Sequence, residues 1–304
     1  MPEILGHNFI AGQRSAAGPQ RLQSLDASTG EALPYSFTQA TEAEVDQAAK
    51  AAAAAFAEFR QLAPARRAEF LDAIAAELDE LDDAFVAIVC RETALPAARI
   101  QGERGRTSGQ MRLFAQCCAA ATSSARASTA LPERQPLPRV DLRQMRIGVG
   151  PVAVFGASNF PLAFSTAGDT AAALAAGCPV VFKAHSGHMA TADLVGCAIM
   201  RAAERTGMPK GVFNMVFGGG VGEWLVKHPA IQAVGFTGSL KGGDALAAWP
   251  LSGRSQSRYS PRCPASTRSS SCRAPWPNVA RPLPASWRGL CAWVPGSSAP
   301  TLGW

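Results

Sequence analysis

PVAVFGASNFPLAFSTAGDTAAALAAGCPVVFKAHSGH occupies residues Pro151–His188, and its reading sets the architecture. "VAVF" and "VVF" are apolar runs too short for helices and free of alternation, as inner strands of a parallel sheet are. Between them "FSTAGDTAAALAAG" reads as a helix closed by Gly177. The pattern then repeats. "ATADLVGCAIMRAAERTG" is a helix closed by Gly207, "GVFNMVFG" a strand, "VGEWLVKHPA" a helix and "IQAVGFTG" a strand. Strands alternating with helices of this length specify an α/β fold, a parallel sheet with helices on both faces. Right-handed crossovers then bring every strand's C-terminal end to one edge, where ligands bind.

Upstream, residues 8–37 read as short extended pieces with turns at "AGQ", "AAGP" and "DASTGEAL". Thr41 and Glu44 have the spacing of a capping box, so a helix follows in "EAEVDQAAKAAAAAFAEFRQL". Pro64 suits the opening of a second helix, in which Phe70, Leu71, Ile74, Leu78 and Leu81 keep helical spacing through "ARRAEFLDAIAAELDELDDAFVAIVCRET". A third covers "ARIQGERGRTSGQMRLFAQ". "CCAAATSSARAST" (117–129) has no period. "PRVDLRQMRIGVGPVAVFG" reads as a strand, a turn at Gly148–Gly150 and a second strand.

The formal charge of the 304 residues is +6, but residues 249–304 hold seven Arg and no Lys, Asp or Glu. Without them residues 1–248 carry −1, so the basicity is not a domain surface, and no nucleic-acid partner is expected. No run of about 18 apolar residues predicts a membrane span, and "MPEILGHNFIAGQRS" is not a secretory signal. The expectation is a cytoplasmic protein. The eight Cys show no paired metal spacing and are expected as free thiols.

The residues able to carry chemistry lie where the strands end. Asn159 in "GASNFP" has an amide able to donate to a developing oxyanion. Lys183 follows "VVF" and can meet a phosphate or a ribose hydroxyl, and Ser186 can donate to a phosphate oxygen. "GGGVG" (218–222) lets backbone approach an anion, though no Gly-Lys-Ser/Thr follows as in a Walker loop. His185 and His188 lie three apart without a third ligand, so no metal site is expected.

Taken together these loops resemble the cofactor-binding portion of the aldehyde dehydrogenase family. "FGASNFPLAFS" resembles its aromatic-Asn-Phe-Pro segment, and "AALAAGCPVVFKAHSGH" its lysine-bearing strand. "MPKGVFNMVFGGG" and "VGFTGS" resemble its glycine and FTGS turns. The likeness runs from about residue 8 to 246, and within the family it is nearest the 2-oxoglutarate semialdehyde (2,5-dioxopentanoate) dehydrogenases. That resemblance implies a Rossmann-like dinucleotide-binding domain in 1–248, with part of an oligomerisation hairpin near 130–147, and a homo-oligomer. It implies oxidation of a small semialdehyde to 2-oxoglutarate. It makes Asn159 the oxyanion residue, and Lys183, Ser186, Gly218, Gly220 and Ser239 the cofactor contacts. Ser186 stands where NAD-preferring members carry a Glu, which favours NADP, with NAD as the alternative.

The resemblance stops near Trp249. The family's chemistry needs a nucleophilic Cys and a general-base Glu. The last acidic residue here is Asp244, and Cys263, Cys272 and Cys291 sit in "SPRCPAS", "SSSCRAP" and "RGLCAWV", unlike the nucleophile's loop. Pro, Ser and Arg make up 27 of the 56 residues in 249–304, which also hold five of the six Trp. Such text is expected from translation out of frame: a disordered tail in place of the catalytic domain, and a chain without dehydrogenase activity. The alternative is a non-catalytic NADP-binding remnant.

Overall fold

The computed structural model describes residues 3–120, 125–128, 130–145, 147–163, 168–248 and 258–262. It begins with β1 (Asn8–Ile10) and β2 (Gln13–Ser15), antiparallel and joined at Ala11 and Gly12. Both turn residues have positive φ, 52° and 81°, as a two-residue hairpin loop demands. Gly12 accepts this freely, whereas Ala11 is fixed by its N–H, which donates to Oδ1 of Asn214 at 2.9 Å. β3 (Arg21–Leu25) and β4 (Ala32–Thr38) form a separate antiparallel pair.

The capping box is present at the start of α1 (Glu42–Phe59). The Glu44 N–H donates to Thr41 Oγ1 at 3.2 Å, and the Thr41 N–H donates to the Glu44 carboxylate at 2.9 Å. The same carboxylate accepts from Ser15 Oγ at 2.5 Å and from the Ala17 N–H at 3.1 Å, tying the helix to the N-terminal hairpin. Thr41→Ala is expected to lower stability by about 1 kcal/mol. A thermal melt unchanged from the parent would show that Glu44's other partners carry the cap alone.

α2 (Pro64–Asp79) opens with proline at its first position, as expected. The helix read as continuous to Thr93 is broken: α3 (Asp83–Thr93) starts afresh, because Asp82 turns extended and accepts the Phe85 N–H at 3.0 Å. α4 (Ala97–Ala119) takes Cys117 and Cys118 into its last turn. β5 (Ala125–Ser128) then pairs antiparallel with β6 (Leu142–Met145). The stretch 117–129 is therefore part helix and part strand, and the hairpin expected near 130–147 begins at Ala125.

From β7 (Val152–Phe155) the chain alternates: α5 (Gly168–Ala175), β8 (Val180–Lys183), α6 (Met189–Arg205), β9 (Phe213–Val216), α7 (Val221–Lys227), β10 (Ala233–Thr237), α8 (Leu240–Ala248) and β11 (Arg258–Arg262). The sheet order is β11-β10-β7-β8-β9-β1-β2. Strands β7 to β11 are parallel, and β1 and β2 close one side antiparallel. β11 lies in the tail expected to be disordered, and pairs along β10 from Ala233–Arg258 to Thr237–Arg262. Pro261 lacks an N–H, which an edge strand tolerates. The remainder of the expected tail falls outside the described residues.

Alternation along the strands divides the interior. Val154, Val180, Phe182, Phe213 and Met215 face one core, shared with α2, α3, α4, α5 and α6. Ala153, Phe155, Val181, Val216, Val234 and Phe236 face the other, shared with α1 and α7. Helices thus cover both faces, and ligand access is left to the strand ends. Among the described residues no helix is long and apolar enough to cross a membrane.

Candidate functional site

In register, Phe155 stands beside Lys183, Lys183 beside Val216, and Phe236 beside Phe155. The four loops singled out in the sequence therefore leave one edge of the sheet side by side. That edge holds Lys183, His185, Ser186 and the glycines after β9.

Lys183 is half-buried, and among the described residues its ammonium has neither an ion pair nor a hydrogen-bonded acceptor. Burial holds its pKa below the ordinary lysine value. An ammonium withdrawn from water without an acceptor is unfavourable, and perturbed groups of this kind gather at ligand sites.

His185 and His188 stack, with ring centroids 5.1 Å apart and planes 16° from parallel. His188 is fully buried, and its Nε2 faces the Ala157 carbonyl at 3.3 Å, so that nitrogen carries the proton and donates. Burial, then the neighbouring His185, pushes the His188 pKa down to about 4. Nδ1 of His185 accepts the Gly187 N–H at 3.0 Å, which places its proton on Nε2 as well. Burial and the Lys183 charge hold His185 below the ordinary imidazole value. Both rings are neutral at pH 7 and carry their proton on Nε2.

Ser186 is exposed at the tip of the same turn. Gly218 has φ 138°, and a Cβ there would lie 2.8 Å from side-chain atoms of Gln39 and Val221, so only glycine fits. Gly219 and Gly220 have open space before them. They lead into α7, whose seven residues make a weak helix end. Ser239 acts locally: its Oγ accepts the Gly242 N–H at 3.2 Å and its carbonyl the Gly243 N–H at 3.0 Å, which starts α8.

Asn159 is exposed in the turn after β7, and its own carbonyl accepts from Arg99 Nη2 at 2.7 Å. Three residues of α4 hold this loop. Arg99 and Arg106 lie over the Phe160 ring, at 5.0 and 5.9 Å. Glu103 accepts the Leu162 and Ala163 N–H groups at 2.7 and 2.8 Å, and burial pushes its carboxyl pKa up. Residues 164–167 lie outside the described residues.

Sequence reading missed the anchor of the lysine loop. Glu92 on α3 is buried and accepts from Ala190 N–H, Thr191 N–H, Thr191 Oγ1 and Ser24 Oγ at 2.8, 2.8, 2.7 and 2.6 Å. It fills the N-terminus of α6, leaving that helix end unavailable to an outside anion. "CRETALP" carries no signal of this, because the partners lie 68 to 99 residues away.

No thiol reaches the edge among the described residues. Cys90, Cys117, Cys118 and Cys197 belong to helices and Cys178 lies before β8, at the opposite end of the strand. Among the described residues no cluster suits a metal ion.

Comparison with known proteins bears on the family and the fold. A model of the aldehyde dehydrogenase family matches residues 14–256. An alpha-ketoglutaric semialdehyde dehydrogenase of Acinetobacter baylyi is 58% identical over 248 residues, 81% of this chain and 47% of that protein. Alpha-ketoglutaric semialdehyde dehydrogenase 2 of Azospirillum brasilense is 51% identical over 249 residues, 80% of this chain and 47% of that one. The chain spans about half the length of the curated relatives it matches. Among solved structures, a NAD-dependent benzaldehyde dehydrogenase of Corynebacterium glutamicum superposes with a TM-score of 0.72 at 25% identity, over 85% of this chain and 54% of that one. A betaine aldehyde dehydrogenase of Staphylococcus aureus gives a TM-score of 0.76 at 21% identity, over 86% and 51%, and shows the shared fold. The chain belongs to the aldehyde dehydrogenase family.

Proposed function

We propose that residues 1–248 are the dinucleotide-binding part of an enzyme that oxidises 2-oxoglutarate semialdehyde to 2-oxoglutarate, with NADP bound in preference to NAD. The unpartnered ammonium of Lys183 carries the reading. It stands at the C-terminal edge of a parallel sheet, flanked by two further donors, His185 Nε2–H and the Ser186 hydroxyl, and by open backbone at Gly219 and Gly220. This donor set fits an anionic, hydroxyl-bearing ligand. A bound nicotinamide dinucleotide would supply the hydride acceptor. Lys183 and Ser186 would hold its ribose, Gly218 and Gly220 would admit its pyrophosphate, and Ser239 would fix the neighbouring turn. The Asn159 amide would donate to the oxygen of the aldehyde as negative charge develops there. Two relatives above half identity, both named for alpha-ketoglutaric semialdehyde, support the substrate. Exposed Leu131, Leu137, Val140 and Leu142 around the hairpin support pairing with a second copy of the chain.

The second reading concerns turnover. The described thiols lie away from the edge, and no carboxylate follows Asp244. We therefore expect these residues to bind NADP without oxidising an aldehyde. Residues 249–304 are proposed to be out-of-frame text.

Isothermal titration of the whole chain with NADP and NAD tests the binding. Lys183→Met is expected to weaken both by about 100-fold, near 2.7 kcal/mol. It is also expected to raise the melting temperature, because a half-buried cation without an acceptor is removed. An unmodified protein that binds neither dinucleotide at millimolar concentration would overturn the proposal. So would a Lys183→Met variant that binds as the parent does.

A further inference from the structure

The sequence singled out His185 and His188 only as a pair too sparse for a metal, and the expected cofactor contacts leave both unused. The structure gives them definite tautomers. The Gly187 N–H occupies Nδ1 of His185 at 3.0 Å, and the ring is stacked against His188 at 5.1 Å. A Cβ on Gly187 would lie 3.2 Å from that Nδ1, so the turn is closed tightly on the ring. Its remaining polar atom, Nε2–H, has no partner among the described residues. It belongs to the same short loop as Lys183 and Ser186.

We propose that the Nε2–H of His185 selects the 2′ substituent of an adenosine ribose seated over Lys183, favouring a 2′-phosphate over a 2′-hydroxyl. The inference rests on the dinucleotide reading above. A phosphate monoester offers acceptors to every donor here: the Lys183 ammonium and the His185 N–H, which can only donate, and the Ser186 hydroxyl, which can donate or accept. A ribose 2′-hydroxyl also has a proton to donate, and of these three side chains only the Ser186 hydroxyl can accept it. The loops after β7, β8, β9 and β10, residues 156–163, 184–188, 217–220 and 238–239, contain no carboxylate to receive that proton. Nδ1 of His185 could have accepted it, but the Gly187 N–H already fills that lone pair. The lowered pKa of His185 keeps the ring neutral near pH 7, so it selects by donor geometry and leaves the charge to Lys183. Stacking on the buried His188, itself fixed to the Ala157 carbonyl at 3.3 Å, limits the movement of the His185 ring.

The experiment titrates the whole chain and its His185→Leu, His185→Gln and Lys183→Met variants with NADP, NAD and adenosine 2′-phosphate. His185→Leu is expected to weaken NADP and adenosine 2′-phosphate about tenfold and to leave NAD within twofold. His185→Gln places an amide N–H near the position of Nε2 and is expected to recover most of that loss. In the unmodified protein, the Nε2 signal of His185 in a ¹⁵N spectrum should shift on adding adenosine 2′-phosphate, with the Nδ1 signal remaining that of an acceptor. Equal losses for NAD and NADP, no loss in His185→Leu, or a ring signal unmoved by the phosphate would each overturn the role of His185. If Lys183→Met still loses both dinucleotides in that case, the dinucleotide reading survives. An unmodified protein that binds none of the three ligands removes both.

Discussion

Glu92→Ala is expected to lower the unfolding free energy by about 4 kcal/mol, the largest loss from any single side chain bordering the candidate site. The carboxylate is 3% exposed and accepts from four donors. Two are backbone N–H groups of the first turn of α6, which have no acceptor within their own helix. Alanine leaves all four donors buried, and each unsatisfied donor costs about 1–3 kcal/mol, less whatever water enters the gap. Burial pushes the Glu92 pKa up even though all four hydrogen bonds pull it down, which shows how completely the group is withdrawn from solvent. Glu92→Gln keeps one carbonyl acceptor and should lose about half as much. Denaturant midpoints at a constant slope read both values. A loss below about 1 kcal/mol for alanine would mean that the first turn of α6 finds other acceptors. The effect should also reach ligand binding, because residues 184–188 run directly into this turn. Dinucleotide affinity should fall in the Glu92 variants although Glu92 touches no ligand.

What could be read in the sequence was local. The apolar runs ended by glycine gave β7 to β10 and the ligand edge, because a buried parallel strand needs nothing beyond its own residues to be recognised. Thr41 and Glu44 gave their cap because both partners lie within one turn. Ser15 and Ala17, which share the same carboxylate, lie 29 and 27 residues away and left no local trace. Glu103 and Glu92 left no trace for the same reason. Each is an acceptor for a distant backbone turn, and only the tertiary fold turns such a residue inward. The helix break before α3 was legible in principle, since Asp82 precedes Phe85 at capping distance, but the leucine spacing runs on through it. β5 and β11 are strands by pairing alone. "ARAS" and "RYSPR" lack alternation, and their conformation is set by β6 and β10 alongside them.

Acid should expose the histidine pair. His188 has no exposed surface and titrates at about 4 in the folded chain, against an ordinary value of 6.5 once unfolded. Between those values the unfolded state binds a proton that the folded state refuses. Stability therefore falls as the pH drops from 6.5 towards 4, by about 3 kcal/mol from this residue. Asp193 acts the other way. Burial pushes its carboxyl up to about 6, against the pull of Arg14 beside it. The folded state thus binds the extra proton between about 6 and the ordinary 3.8, which adds stability over much of the same range. The whole-protein profile mixes the two, so the histidine must be read by difference. His188→Gln keeps a donor for the Ala157 carbonyl and cannot titrate. Its stability relative to the parent should improve by about 3 kcal/mol between pH 6.5 and pH 4, with most of the change below pH 6. Melts that run parallel over that range would show that water reaches the buried ring and protonates it in the folded state. The stack that orients His185 would then be looser than the geometry requires.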